Sequence, residues 1–597
     1  MRRVLPRPLA VLVLVAVAAQ SRGDDIAWLD NGLSESDRRQ FHHLPIGSEL
    51  MPLAWLRALD TADGSTPFVA RLEHHGFLPD ADDPDGLPVG MSAVETGGGP
   101  FRGKMVGLTC AACHTGALAH GGRTVRIVGM PNMLSVESFT EELTEAIAAT
   151  AKHPRRLAGF VKRLATQDRT AAFTDRPEGA LLATRLPDFD HLDEAGSFGA
   201  AIAARLEQAV ATVAEEPEVD LARPLATARA VAATLEAELR QLPGRLLLDA
   251  RALAARGHEA KALAGETEEA LATGLDQWWA ETVETARLLR GRAALLRKQS
   301  TMARMTAPRG GPGRIDDFGF ARNLIFPSAE MRVPDAPCSI PVLWATSTVR
   351  WQGWDANNDS AMGRNLATAM ASGATFDAPS GASTALPRNL GRIEELAARI
   401  TVPRWPEDWL GAIDQTRAAR GEALFRTHCH DCHPTGAGPA PDRVVPLAEI
   451  GTDPNRARNF AAPLGGRPFA VAIEETLGRF KQVAYAAAGI DAAEAARLDG
   501  GRSDRWRTTG GYAARPLAGL WASAPYLHNG SVPTLHDLLL PPAERPVRFP
   551  VGQRDFDPVR VGLMTVGIAA PMFMFDTTVS GNHATGHDYG TGLSADE

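Results

Sequence analysis

Cysteine and histidine occur in the pattern Cys-x-x-Cys-His twice in this chain, at 110–114 and at 429–433. Two thiols three positions apart can each bond to a vinyl group of one haem, and the adjacent histidine can then bind the iron. Since only five cysteines occur among the 597 residues, two chance copies are improbable. The pattern therefore predicts two covalently bound haem c groups. The predicted attachment and iron-binding residues are Cys110, Cys113 and His114 for the first haem and Cys429, Cys432 and His433 for the second.

The same cysteine pairs could instead bind zinc or form a redox-active dithiol, but both alternatives are weak. Structural zinc sites usually combine cysteine pairs that lie close in sequence, whereas roughly three hundred residues separate these two. A thioredoxin-type dithiol does not require the histidine that follows each pair. Covalent haem remains the interpretation that uses every residue of the pattern.

The fifth cysteine, Cys338, has no partner if the other four bond to haem. Free cysteine usually packs as a small apolar residue, and the neighbouring Ala336, Pro337 and Ile340 suit such a place. We therefore expect a buried free thiol. A thiolate ligand to haem and an intermolecular disulfide are the alternatives.

The first residues resemble a secretory leader. Arg2, Arg3 and Arg7 precede an apolar run from Leu9 to Ala19 that is too short to cross a bilayer. We expect a signal peptide over residues 1–19 and a periplasmic or secreted product with no membrane span after cleavage. An uncleaved anchor is the alternative.

The overall charge argues against a nucleic-acid partner. The chain has 62 Lys and Arg against 71 Asp and Glu, a formal net charge of −9, and nucleic-acid binding relies on an excess of positive charge. The expected partners are therefore a redox partner protein or a small-molecule or hydrocarbon substrate.

Composition changes along the chain predict its organisation. A Gly- and Pro-rich first haem domain is expected over 20–135, a helical insert over 136–307, a loop-rich connecting segment over 308–414 and a C-terminal cytochrome c domain over 415–597. The insert is rich in Ala, Leu, Glu and Arg, and its apolar stripes, one of them through Leu235, Leu239 and Leu242, favour packing between helices. Another helix is predicted over 415–428, directly before the second motif. The fold class expected from these features is mainly α, with two cytochrome c-type domains.

Several strings resemble the dihaem c-type cytochromes related to bacterial cytochrome c peroxidases, and within them the rubber-oxygenase-like branch. The string with Pro525, Tyr526, His528 and Gly530 is similar to one shared by the whole superfamily. Two others, at 354–358 and 586–590, resemble the rubber-oxygenase-like branch. Further matching strings lie at 47–52, 85–90, 107–109 and 311–316.

This resemblance implies a division of labour between the two haems. His114 would be the proximal ligand of a reactive haem with an open or oxygen-occupied distal position. His433 and His587 would bind the two sides of the second iron. The sequence itself leaves His583, Met572 and Met574 as rival sixth ligands, and His528 is expected to be a structural residue of the site.

The function expected on this basis is a haem-dependent oxidoreductase of dioxygenase or peroxidase type. Its N-terminal haem would activate dioxygen or peroxide and its C-terminal haem would relay electrons. The competing class is an electron-transfer dihaem cytochrome without a substrate reaction. No catalytic acid or base can be assigned from the sequence, since Glu49 and Glu95 are more often solvated carboxylates. The pairs His42–His43 and His74–His75 are expected at the surface.

Overall fold

The computed structural model describes most of the chain outside the central insert. The described residues are 26–95, 103–152, 301–326, 332–344, 346–377, 379–435, 442–568, 572–594 and 597, with single positions inside 156–164 and 289–300. The predicted signal peptide and the Leu235 stripe lie outside these residues.

The first Cys-x-x-Cys-His motif lies between two small sheets. In the first sheet, the central strand pairs antiparallel with one neighbour and parallel with the other, whereas the second sheet is wholly antiparallel. The motif forms a one-turn helix that connects the last strand of the second sheet to a strand of the first sheet. The first sheet contains Ile26–Trp28, Arg123–Val128 and Thr115–His120, the second contains Met51–Pro52, Lys104–Leu108 and Met91–Glu95, and the motif helix is Ala111–His114.

A tight hairpin fixes the register of the strands that follow this motif. Gly121 and Gly122 join the two strands, and both have positive φ, at 59° and 79°. A two-residue hairpin turn with positive φ at both positions matches the twist of its strands, and glycine adopts it without steric cost. Val125 and Ile127 on the second strand are buried as a result.

The remaining strands of the described chain form two-stranded sheets, each antiparallel. They pair Arg314–Ile315 with Cys338–Ser339, Phe376–Asp377 with Ala382–Ser383, Val444–Pro446 with Gly511–Ala513, Arg548–Val551 with Phe573–Asp576, and Phe556–Asp557 with Gly562–Leu563.

Helices supply the other regular structure of the described residues. Besides the motif helix, those before the insert are Glu35–His43 and Leu53–Ala58, and Val136–Lys152 lies at the start of the insert. Those after it are Asp317–Ile325, Ala361–Ala371, Pro387–Arg399, Glu407–Leu410, Gln415–His428, Leu447–Ile450, Asn455–Ala461, Phe469–Ala487, Ala492–Leu498 and Leu535–Leu538. Short 3-10 turns cover Phe68–Arg71, Glu73–His75, Thr346–Thr348, Leu520–Ser523 and Pro542–Glu544.

The expectation of a mainly α fold is wrong. Seven small sheets lie within the described part of the chain, beside the helices. The strands are two to six residues long, too short for an alternating pattern to be recognised. Met91–Glu95 and Lys104–Leu108, for example, lie in the Gly-rich region that suggested loops, yet they pair over five positions.

Two apolar clusters meet at the first motif. One includes Phe139, Leu143 and Ala112 and packs against Cys113. The other includes Val128, Ile393 and Ala111 and packs against Cys110. The two cysteines of the motif therefore lie on either side of a seam between the two apolar clusters. Within the described residues, no helix combines the length and apolar character needed to cross a membrane.

The expectation of surface histidine pairs is wrong for two of the four residues. His42 and His75 are each 1% exposed. His75 donates to or accepts from Ser138 Oγ at 2.7 Å through Nδ1 and lies 3.0 Å from Glu142 Oε2 through Nε2. A polar partner at each ring nitrogen explains how this histidine is tolerated in a core.

Candidate haem site

Backbone hydrogen bonds hold the first motif in one turn of helix. The amides of Cys113 and His114 both donate to the carbonyl of Cys110, at 3.3 and 3.1 Å. The side-chain amide of Asn132 donates to the Ala112 carbonyl at 2.9 Å, and its backbone amide donates to the Cys113 carbonyl at 2.8 Å. The two thiols and the imidazole are thus presented from a fixed turn.

Gly90 allows this turn to pack against its neighbour. Its φ is 92°, and a Cβ at this position would lie 2.2 Å from Ala112 Cα. No side chain can replace glycine without displacing the backbone of the motif. The Asp85–Gly90 string noted in the sequence therefore ends at a packing contact with the turn of the first motif.

The second motif directly follows the Gln415–His428 helix, as predicted. The helix begins at Asp414, whose side chain accepts from the amides of Thr416 and Arg417. It ends at Cys429, whose carbonyl accepts from the amides of Cys432 and His433 at 3.2 and 2.9 Å. Both motifs thus use the first cysteine carbonyl to turn the chain.

A single hydrogen bond orients the His433 ring. Its Nδ1 lies 2.8 Å from the Arg515 carbonyl oxygen, and since a carbonyl only accepts, Nδ1 carries the proton. The lone pair is then on Nε2, the atom that an iron ligand would use. Burial lowers the pKa of His433, which also favours the neutral ring that binds metal.

The loop that carries His587 is held from two sides. The His587 amide donates to the Ile450 carbonyl at 2.8 Å, and the buried Arg545 guanidinium donates to the carbonyls of Ala584, Gly586 and His587. A Cβ on Gly586 would lie 2.1 Å from the Gly451 carbonyl carbon. The loop therefore packs directly, backbone to backbone, on the turn after Leu447–Ile450.

The rings of His433 and His587 lie 6.5 Å apart between their centres. Two imidazoles that bind opposite sides of one metal through nitrogen bonds of about 2.0 Å have centres roughly 6 Å apart. The three rival residues are placed differently. The Nδ1 atom of His583 lies 3.2 Å from Asp453 Oδ2. Met572 and Met574 are 43% and 49% exposed to solvent.

One continuous cavity of about 1150 Å³ contacts both motifs. Its volume exceeds the range of about 300–1,000 Å³ that holds ordinary single ligands. The donor set suits haem, because each end of the cavity presents two thiols and a neutral imidazole. Burial lowers the pKa of His114 and of His587 to about 4 each, and it raises the pKa of the Cys110 thiol to about 12. The residues that would hold haem are Cys110, Cys113, His114, Cys429, Cys432, His433 and His587.

One segment of the cavity wall is similar to a known protein family. Residues 511–550 match the RoxA-like, cytochrome c-like family. This stretch supports haem c as the cofactor and the rubber-oxygenase-like branch of the cytochromes. It contributes Tyr512, Arg515 and His528 to the cavity wall.

Two relatives come from Sinorhizobium fredii, strain NBRC 101917 / NGR234. The uncharacterized protein y4iJ is 28% identical over 640 aligned positions, which cover 95% of this chain and 89% of the relative. The uncharacterized protein y4iM is 31% identical over 263 positions, 42% of this chain and 56% of the relative. The likeness to y4iJ thus runs along nearly the whole length, well beyond the RoxA-like stretch.

Arg515, within the RoxA-like stretch, is a partly buried cation whose side chain donates hydrogen bonds to backbone carbonyls. Its guanidinium donates to the carbonyl oxygens of Trp351, at 2.8 Å, and of Gly353. Burial lowers its pKa to about 10, so it remains charged at neutral pH. Among the described residues, no carboxylate lies within ion-pair distance of it, which leaves its charge available to an anionic group in the cavity.

Other arginines on the cavity wall already have acidic partners. Arg364 Nη2 lies 2.5 Å from Glu394 Oε1, and this pair flanks the first motif, since both charges act on Cys110. Arg456 bridges Asp317 at 2.5 Å and Asp355 at 3.2 Å. The sequence did not single out these arginines, because no spacing distinguishes them from the many others.

Several residues considered in the sequence fall on this cavity. His528 stacks on Tyr512 with 3.9 Å between ring centres. Trp354 lines the wall and donates through Nε1 to the Ser339 carbonyl at 2.8 Å. Cys338 is buried, as expected, and its thiol donates to the Ala336 carbonyl at 3.4 Å. Glu49 and Glu95 are not among the lining residues.

Proposed function

We propose that this chain is a periplasmic or secreted dihaem c-type cytochrome that acts as an oxidoreductase. Haem at the first motif would supply an iron with an open position for dioxygen or peroxide, and haem at the second would hold and pass electrons. His114 would be the proximal ligand at the first site. His433 and His587 would both bind the haem iron at the second.

The asymmetry between the two motifs is the observation that supports this proposal best. Besides the motif histidines, the cavity wall includes His428, His528 and His587 and, among the described residues, no methionine. His587 faces His433, His528 stacks on Tyr512, and His428 is exposed at the end of its helix. In the described part of the chain, no histidine ring lies as close to His114 as His587 lies to His433.

The wall near the first motif suits an apolar substrate. Leu108, Phe139, Leu143 and Leu296 line the cavity and belong to the same apolar cluster that packs against Cys113. Such a surface gives an apolar chain a favourable environment because its contact area is removed from water. A hydrocarbon substrate of the rubber-oxygenase type is therefore favoured over a polar one.

The Glu394 carboxylate, near the first motif, already accepts hydrogen bonds from two neighbouring side chains. Glu394 accepts from Arg364 at 2.5 Å and from the Asn365 side-chain amide at 2.7 Å. These bonds hold the carboxylate in one orientation. Peroxide chemistry needs an acid–base group that is free to act on the bound peroxide, whereas dioxygen chemistry on an apolar substrate does not.

Turnover assays on the holoprotein test this proposal. We expect dioxygen uptake and carbonyl products when the reduced protein is mixed with a polyisoprene emulsion, and we expect carbon monoxide to inhibit the reaction. Consumption of hydrogen peroxide with a reduced donor is the parallel assay for the peroxidase type. Electron exchange with a redox partner but no turnover in either assay would favour the electron-transfer cytochrome instead.

A further inference from the structure

A second cluster of metal-binding side chains lies outside the haem cavity. His42 and His43 form the last turn of the Glu35–His43 helix, and Asp80 approaches them from the loop that follows Leu78. One ligand atom from each of the three lies within 4.8 Å of the others. We propose that these residues bind a divalent transition-metal ion of the zinc class, separate from the haem irons.

The protons of His43 show why a cation is needed there. Its Nδ1 lies 2.7 Å from the Met91 carbonyl oxygen, so Nδ1 carries a proton. Its Nε2 lies 3.0 Å from Asp80 Oδ2. In the neutral ring, this Nε2 lone pair would face a carboxylate oxygen, which only accepts. A positive centre must therefore lie between the two atoms, either a second proton or a metal ion.

The position of His42 favours a metal ion over a second proton on His43. Its Nδ1 is 3.8 Å from the same Asp80 oxygen, too far for a hydrogen bond. Its Nε2 is buried without a hydrogen-bond partner among the described residues, so Nδ1 is the ring nitrogen that faces Asp80 and would bind an ion. A proton on His43 would leave the His42 Nδ1 without a hydrogen bond to Asp80, whereas a metal ion would bind both rings. Ligand atoms on one ion with bonds of about 2.0–2.1 Å lie about 3–4 Å apart, as the 3.0 and 3.8 Å separations do.

The residues around the cluster also match a metal site. A histidine that binds metal usually donates its other ring N–H to a carbonyl, and a ligating carboxylate is itself hydrogen-bonded. His43 does the first through Met91, and Asp80 does the second, since its Oδ1 accepts from the Asp82 amide at 3.1 Å. The negative end of a helix dipole also favours a cation at this helix C-terminus. Two imidazoles and one carboxylate suit zinc, with water in the remaining position.

The proposed ion would lie behind the first haem motif. The His42 carbonyl accepts from Thr109 Oγ1 at 2.7 Å and from the Gly90 amide at 3.3 Å. Thr109 directly precedes Cys110, and Gly90 packs against Ala112. The ion would therefore link the helix, the Asp80 loop and the haem attachment turn, a structural role that does not depend on the reaction at the haem.

Zinc retention by the tag-free holoprotein tests the proposal. After exposure to zinc chloride and dialysis, we expect about one zinc per chain by elemental analysis, and X-ray absorption at the zinc edge should show two imidazoles and a carboxylate. Asp80→Asn and His43→Ala should weaken zinc binding at least about tenfold. Asp82→Asn and His74→Ala alter exposed neighbours and should bind zinc like the wild type.

Two results would overturn this inference. One is a wild-type protein that retains no zinc, nickel or cobalt, which would assign the position to a proton on His43. The other is equal zinc affinity in Asp80→Asn and Asp82→Asn. Haem content, measured by iron per chain, shows whether each variant has folded. Since zinc is measured independently of turnover, failure here would leave the proposed function untouched.

Discussion

His587 faces His433 across the cavity, with 6.5 Å between ring centres and an angle of 45° between ring planes. The two residues are brought together by different means. His433 is set by its motif turn and the Arg515 carbonyl, whereas His587 is set by Arg545 and the Ile450 carbonyl. Because neither ring depends on the other for its position, the pair can be tested one residue at a time.

Replacing His587 should open the second site. We expect His587→Ala to convert one low-spin haem to a high-spin or carbon-monoxide-binding form, because the second axial nitrogen is lost. Electron paramagnetic resonance and the optical spectrum of the reduced protein measure the change. His583→Ala is the matched control and should leave the spectra unchanged, since His583 pairs with Asp453 instead. Equal spectra for the two variants would contradict the assignment.

The loop that carries His587 should not tolerate a side chain at Gly586. A Cβ there would overlap the Gly451 backbone, and φ is 67°. We expect Gly586→Ala to cost about 1–3 kcal/mol in the free energy of unfolding and to weaken the His587 ligand. Gly592→Ala is the control, because a Cβ there meets no atom within 4 Å. Thermal unfolding followed at the haem band distinguishes the two, and equal midpoints would be inconsistent with the close packing.

Arg515 should raise the reduction potential of the second haem. A nearby positive charge favours the reduced iron, which carries one positive charge less. We expect Arg515→Gln to lower the potential by an amount on the order of tens of millivolts. Arg426→Gln, which removes an exposed arginine that is not among the residues lining the cavity, should have a smaller effect because water screens its charge. A spectroelectrochemical titration measures both, and an unchanged potential in Arg515→Gln would argue against the role.

Some features of the fold and of the site could be predicted from the sequence, and others could not. The two motifs and the Gln415–His428 helix follow from local spacing, and the structure has the helix where it was predicted. The sheets do not follow, because strands such as Met51–Pro52 are defined by a partner more than fifty residues away and not by their own pattern. Arg515 was missed for the same reason, since its role depends on the backbone of Trp351 and Gly353.

Acid should destabilise the protein through His528. Burial lowers the pKa of His528 from 6.5 to about 3, so the folded state holds it neutral while the unfolded state takes up a proton below pH 6.5. The contribution to stability is therefore complete above pH 6.5 and is lost as the pH falls towards 3. It amounts to roughly 2–3 kcal/mol between pH 6.5 and 4.5.

The variant His528→Phe isolates this effect, since a phenyl ring can keep the contact with Tyr512. We expect its unfolding free energy to fall less steeply than that of the wild type between pH 6.5 and 4.5. Urea unfolding at several pH values measures the slopes. His536→Phe makes the same substitution at an exposed histidine and is the control for the change of residue type. A His528→Phe slope equal to the wild-type slope would show that the buried ring does not contribute.

In the proposed function, one chain carries two haems of unequal ligation. A carbon monoxide titration of the reduced holoprotein, with haem counted by the pyridine haemochrome method, tests it most directly. Two haems per chain that bind one carbon monoxide between them are the predicted result. Two haems that bind none would contradict the oxidoreductase and favour an electron carrier, and a single haem per chain would contradict the dihaem site itself.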